Sequence, residues 1–330
     1  MAPDPQPPSG AGNHEPDIAM WGAPGSGKTA FLASLSIALN LAKGRDKGWQ
    51  IVGDNPVSVS ELIRLRTTLL NGRTFPQPTE DLEYYNWLII GPPARGRRRW
   101  WTPWKVRPGK APKVKLTFLD APGGQFAEQG YAITKDALVK SLIKSRGLIY
   151  IFDPDRESRE GDAFRHLDTA LQEIAGLMLT GDEFVDGKLP HYIAVCTTKY
   201  DEPQVLRSAV ENGFTESDPD DEYALPRVPE DRARDFFKMM LSEALDHNAE
   251  IILNLIETAF HQDRIRYFVT SSIGVFVDQD RGFDLDDPAN TIDGAEGERT
   301  IRGAVRPVNI MEPVIWLGRM LQPNARGDGK

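Results

Sequence analysis

A lysine and a threonine at the end of a glycine-rich octet are the residues of this sequence best suited to chemistry. The run Gly22-Ala23-Pro24-Gly25-Ser26-Gly27-Lys28-Thr29 fits GxxxxGK(S/T). At that spacing the glycines let main-chain N–H groups close on phosphate oxygens. The lysine reaches the β and γ phosphates of a nucleotide, and the hydroxyl ligates Mg2+. Such a loop works only at a strand-to-helix turn, where the helix N-terminus adds a field favourable to anions. The flanks supply that turn: Asp17 to Trp21 reads as a short buried strand and Thr29 to Ala42 as an apolar helix.

Three later motifs could complete a site. Asp120-Ala121-Pro122-Gly123 ends an apolar strand. An aspartate there can hold Mg2+ through water, and the backbone of Gly123 can donate to a γ phosphate. By itself, DAPG is a turn after a strand. Thr198-Lys199-Tyr200-Asp201 directly follows the strand Tyr192 to Thr197. The run resembles the (N/T)KxD guanine motif of GTPases, which implies that a carboxylate at Asp201 accepts both the N1–H and the exocyclic amine of guanine, an arrangement adenine does not present, while the stem of Lys199 packs over the base. Alone, TKYD is a charged loop. Thr270 to Gly274, with Ser271 and Ser272, follows the last expected strand and resembles the serine-containing loop whose backbone contacts the guanine oxygen in GTPases.

The intervening elements alternate as a parallel sheet requires. Short strands are expected at Gly48 to Val52, Glu83 to Ile90, Val114 to Asp120, Gly147 to Asp153 and Ile265 to Thr270. Helices are expected at Val57 to Leu70, ended by Asn71-Gly72, at Thr134 to Lys144, and at Asp162 to Leu179 with Phe164, Leu167, Leu171, Ile174 and Leu177 on one face. A long helix is read from Asp231 to Phe260, and a final one from Ile310 to Leu321 with Asn309 as its cap, Glu312 three residues on and Pro313 in its first turn. The acidic stretch 202–230 reads as an inserted loop and 278–306 as an irregular excursion. The expected organisation is a tail at 1–16, a single domain over 17–322 and a second tail at 323–330.

Four motifs in this order, each at the end of an expected strand, resemble a Ras-like P-loop GTPase of the translation-factor-related class. The TKYD run is similar to that class's (N/T)KxD guanine motif. The resemblance runs from Asp17 to Gly274, and the final helix extends it to about Leu321. The segment before TFPQPT, the FDPDRE stretch and the PVNIMEPVIWL helix are also similar to bacterial Double-GTPase families of conflict systems. The implied fold is a three-layer, doubly wound, mostly parallel α/β sheet with one antiparallel strand, Glu83 to Ile90. The implied ligands are GTP or GDP and Mg2+, the implied reaction GTP hydrolysis and the implied role a molecular switch. A P-loop ATPase is the rival on the same fold. Many motor and transporter ATPases carry a glutamate where this chain has Ala121, and TKYD also disfavours adenine. A scaffold that binds nucleotide without turning it over is the other alternative.

The resemblance also calls for a first-switch threonine that senses Mg2+ and the γ phosphate. Thr79, in the loop before the strand Glu83 to Ile90, is the choice and Thr74 the runner-up. Ras-like proteins place a glutamine directly after DxxG to orient the attacking water. Here Gly124 holds that position and Gln125 comes one residue later. Hydrolysis is therefore expected to be slow, with Arg73 acting in cis or a partner supplying an arginine.

Between two of the strands, Gly91 to Lys115 carries nine basic residues and no acidic one, with Trp100, Trp101 and Trp104 among them. It is expected to form the long tip of a hairpin. A docking surface for a protein effector is the leading reading, ahead of a membrane surface or nucleic acid. The chain as a whole has a net charge of -9, which argues against general nucleic-acid binding. One cysteine, Cys196, allows no internal disulfide and fits a reducing cytoplasm. The first residues lack the basic start and apolar core of a signal peptide, and no stretch approaches the roughly 20 apolar residues of a membrane span.

Overall fold

Apolar residues on both sides of Asp17–Gly22 dictate how the sheet must be covered. Ile18 and Met20 face one way, Ala19 and Trp21 the other, and all four are buried. This strand, β1, therefore needs helices on both faces. The computed structural model describes residues 17–42, 47–76, 83–92, 111–120, 138–179, 184–217, 221–245, 249–294 and 298–322. The expected tails, Thr79, Gly123, Gln125 and most of the basic segment lie outside them.

The strands are β1, β2 (Gln50–Gly53), β3 (Glu83–Ile90), β4 (Lys113–Asp120), β5 (Gly147–Phe152), β6 (Tyr192–Thr197), β7 (Glu216–Ser217), β8 (Pro226–Arg227), β9 (Ile265–Val269), β10 (Thr291–Asp293) and β11 (Arg299–Ile301). Seven form one sheet in the order β2-β3-β4-β1-β5-β6-β9. β3 runs antiparallel to β2 and β4, as expected, and the other pairings are parallel.

The helices are α1 (Lys28–Leu41), α2 (Pro56–Thr67), α3 (138–144), α4 (Pro154–Glu160), α5 (Ala163–Leu179), α6 (Pro203–Glu211), α7 (Ala233–Leu245), α8 (Ala249–Ala259) and α9 (Met311–Met320). α1, α2 and α9 pack with Ile18, Met20, Ile149, Ile151, Cys196 and Phe268. α3, α5, α6, α7 and α8 pack with Ala19, Trp21, Leu148, Tyr150, Phe152 and Val195 on the opposite face. The result is the three-layer, doubly wound α/β architecture.

Several expectations change. The acidic stretch is not a loop: α6 buries Val205, Leu206 and Ala209, and β7 and β8 form a small ribbon. Pro203 sits at the first helical position, where a proline starts a helix rather than breaking it. The long helix is two antiparallel ones, tied by ion pairs Arg234–Glu257 at 2.7 Å and Lys238–Glu250 at 3.3 Å. Folding back lets both α7 and α8 bury an apolar face against the sheet. On α5, Phe164 and Leu177 are exposed, and the buried stripe runs through Leu167, Leu171, Ile174 and Met178. The excursion contains the hairpin β10–β11. Asn309 does not cap α9. Its backbone is left-handed at φ 48°, its amide donates to the Val269 carbonyl at 3.0 Å, and Ile310 holds the cap position. No helix among the described residues is long and apolar enough to cross a membrane.

Candidate functional site

The loops bearing the motifs leave the carboxyl ends of β1, β4, β6 and β9. β1 lies at the middle of the sheet, with β4 on one side and β5 on the other. Strand order reverses there, and open α/β sheets bind ligands in the crevice at such a point.

Residues 22–27 turn from β1 into α1. The Ser26 amide donates to the Ala23 carbonyl at 3.2 Å, and Gly27 enters the helix with φ 92°, a conformation that side chains resist. α1 begins with no side-chain cap on its N-terminus, which leaves its first turn suited to an anion. Lys28 folds over the loop, its Nζ donating to the carbonyls of Gly22 at 3.1 Å and Ala23 at 2.9 Å. Thr29 follows as the second residue of the helix, half-buried. Asp120 is the last residue of β4, paired across to Glu83.

The second loop is anchored on three sides. The Thr198 amide donates to Phe152 at 2.8 Å and the Tyr200 amide to Thr270 at 3.1 Å, while the buried Tyr200 hydroxyl reaches the Pro226 carbonyl at 3.1 Å. Lys199 takes a left-handed backbone, φ 56°, and its Nζ lies 2.7 Å from Asp153 Oδ2 and 3.7 Å from Asp155. Asp201 is buried and accepts a hydrogen bond from the Ser271 hydroxyl. Burial pushes its carboxyl up to about 6, against the opposing pull of the Ser271 bond. Ser271 Oγ in turn accepts from the Gly274 amide at 2.7 Å, and the Ser271 backbone exchanges bonds of 3.0 and 2.8 Å with Val308. Gly274 is required here: at φ 70°, an added Cβ would lie 2.1 Å from the Arg306 carbonyl oxygen. Ser272 is buried beside it.

The two loops meet. A Cβ on Gly27 would stand 3.8 Å from Thr198 Oγ1. The fold thus brings Gly22 to Thr29, Thr198 to Asp201 and Ser271 to one end of the sheet. Arg73 sits elsewhere in its contacts: its backbone is left-handed at φ 51°, its carbonyl accepts from the Ile301 amide at 2.7 Å, and its guanidinium lies on the Arg302 carbonyl at 3.4 Å. Thr74 forms a bridge with Thr300.

No family model matches this chain. No curated protein matches it either. Among solved structures it is similar to the signal recognition particle receptor SRb-GTP/SRX complex from Chaetomium thermophilum, at 12% identity over 82% of this chain and 94% of that one, with a TM-score of 0.36. A likeness at that level says nothing of activity.

Two residues near the site escaped the sequence reading. Asp153 caps α4, accepting from the Arg156 amide at 3.1 Å, and also holds Lys199. Arg156, bidentate to Asp162, places its Nε 4.0 Å from where a Gly25 Cβ would be. The signal was present as Asp-Pro after a strand, a helix start.

Proposed function

We propose that the chain binds GTP and GDP with Mg2+ and hydrolyses GTP slowly, as a switch that recruits a protein partner. The observation that carries this reading is the close approach of the phosphate-type loop to the TKYD loop, whose buried Asp201 is oriented by Ser271. A carboxylate raised toward 6 by burial gains most from a ligand that brings two N–H donors, and the Watson–Crick edge of guanine brings two. Adenine brings none in that arrangement.

In this reading the backbone of residues 22–29 wraps the β phosphate. Lys28 leaves the Gly22 and Ala23 carbonyls for the β and γ phosphate oxygens. The left-handed turn at Gly27 and the uncapped start of α1 suit the loop to that anion. Thr29, Thr79 and Asp120 would hold Mg2+, which would supply positive charge to the phosphate oxygens of the nucleotide. Gly123 donates to the γ phosphate. Lys199, held by Asp153 and Asp155, covers one face of the base, and the Ser271–Ser272 backbone meets the guanine oxygen. Gln125 and Arg73 are the candidates for positioning water and neutralising developing charge. The partner meets the switch loops and the basic segment 91–115.

A scaffold that binds nucleotide without turnover is the second reading. Gly124 stands where the glutamine would be, and the Arg73 guanidinium is engaged on the Arg302 carbonyl. Affinities for GTP, GDP and ATP, with single-turnover hydrolysis, separate the readings. GTP and GDP are expected to bind at least ~100-fold tighter than ATP, the loss that two unmade charge-assisted bonds imply. Equal affinity for ATP overturns the guanine assignment, and undetectable turnover leaves the scaffold.

A further inference from the structure

We infer that residues 278–294 and 298–306 form a clamp joining the base-recognition loops to the start of the first switch, with Asn290 and Arg299 as its positioning residues. This rests on the guanine reading above. The segment grips the base side twice. Asn290 is buried, and its amide donates to the carbonyls of Ile273 at 3.2 Å and Ala304 at 3.1 Å while its oxygen accepts from Gly303 at 2.8 Å. The Arg306 amide also donates to Ile273, at 2.8 Å. The loop so held contains Ser271, the hydroxyl that orients Asp201. The second grip is Arg299, which ion-pairs with Glu202, the neighbour of Asp201, and with Asp293 at 3.0 Å.

The same strand grips the switch side. The Ile301 amide donates to the Arg73 carbonyl at 2.7 Å, and Thr300 bridges Thr74. Arg299, Thr300 and Ile301 are three consecutive residues of β11, so one short strand touches both ends. The strand is held from behind: the Arg302 amide donates to the Asn290 carbonyl at 2.9 Å, and its guanidinium pairs with Asp287 at 2.7 and 2.9 Å while lying 3.6 Å from the Phe276 ring centre. These bonds give the segment one anchor in each region. With them, a base that draws Asp201 and Ser271 into one arrangement also restrains Arg73 and Thr74, the residues leading to Thr79.

Amide-resolved hydrogen–deuterium exchange on the full chain, with and without GDP, tests this. Ser26 and Phe31 report occupancy of the phosphate loop, and Ile301 reports the switch end. GDP is expected to slow Ile301 about tenfold in the wild type. In Arg299→Gln that slowing falls about threefold, the worth of a half-exposed ion pair, while Ser26 and Phe31 keep their protection. Glu202→Gln, on the other side of the pair, gives the same result and stands in if the arginine variant does not fold. An Ile301 response that survives unchanged overturns the clamp. So does a change in Ile301 exchange of equal size with and without GDP, the mark of a merely structural arginine. Slowing at Ser26 and Phe31 with none at Ile301 in the wild type also overturns it, and leaves the guanine reading intact. No slowing anywhere overturns both.

Discussion

Replacing Asp201 by asparagine should strengthen the empty protein and ruin its ligand site. The wild-type carboxyl is buried, is raised to about 6, and keeps one bond from Ser271. An asparagine keeps that acceptor and removes the charge. Because the folded value lies above the unfolded one of about 3.9, the folded chain binds more protons between the two. Stability therefore falls as pH rises from about 4 to 6, reaching a cost of about 3 kcal/mol at pH 7. Asp201→Asn should recover most of that and raise the melting temperature of the nucleotide-free protein by several degrees at pH 7, with little change at pH 4. Binding should move the other way. Two charge-assisted bonds to guanine are lost, and an amide N–H faces the guanine amine. GTP and GDP affinity should drop by about 100-fold or more. Xanthine, with a carbonyl in place of that amine, should regain part of the loss. Nucleotide-free melts from pH 4 to 8 and titration calorimetry with GDP, ATP and xanthosine diphosphate measure both halves. A variant that melts lower than wild type at pH 7, or binds GDP as tightly, refutes the reasoning.

His191 gives the opposite slope. Burial holds its imidazole down at about 4, so the unfolded chain binds more protons between about 4 and 6.5, and stability present above 6.5 is lost as pH falls toward 4. That is worth about 3 kcal/mol, and the opposed Asp201 contribution flattens the wild-type profile; melts of Asp201→Asn should show the steeper acid slope, and adding His191→Gln should remove it. Ser271→Ala strips Asp201 of its donor and the Gly274 amide of its acceptor. GDP dissociation, followed with a fluorescent analogue, should speed up about tenfold. Lys28→Ala should abolish measurable triphosphate binding in the same assay. Cys196 is fully buried and burial pushes its thiol up, so a thiol reagent should label it only as fast as the chain unfolds.

Spacing along the chain by itself determined the glycine-rich strand-to-helix turn and the strands that deliver the motifs, and the resemblance implied the reversed strand β3. These depend on contacts within a few residues: glycine conformations, alternating apolar side chains and a helix start next to a strand end. The same locality misled at Pro203 and Asn309. A proline can begin a helix as readily as break one, and an asparagine becomes a cap only if its side-chain oxygen can turn to the N–H groups of the first turn. The carbonyl of Val269, 40 residues away, took the Asn309 amide instead. Tertiary structure alone decided that Ser271 orients Asp201 across 70 residues, that Asp153 holds Lys199, and that Arg299 joins Glu202 across 97. It also decided the fate of 278–306, a polar stretch whose composition reads as irregular. Its described residues are held by hydrogen bonds to Ile273 and Arg73, and such bonds exist only after the sheet has brought those distant carbonyls to one end. Backbone groups look alike in every sequence, so neither composition nor periodicity marks which of them will be met.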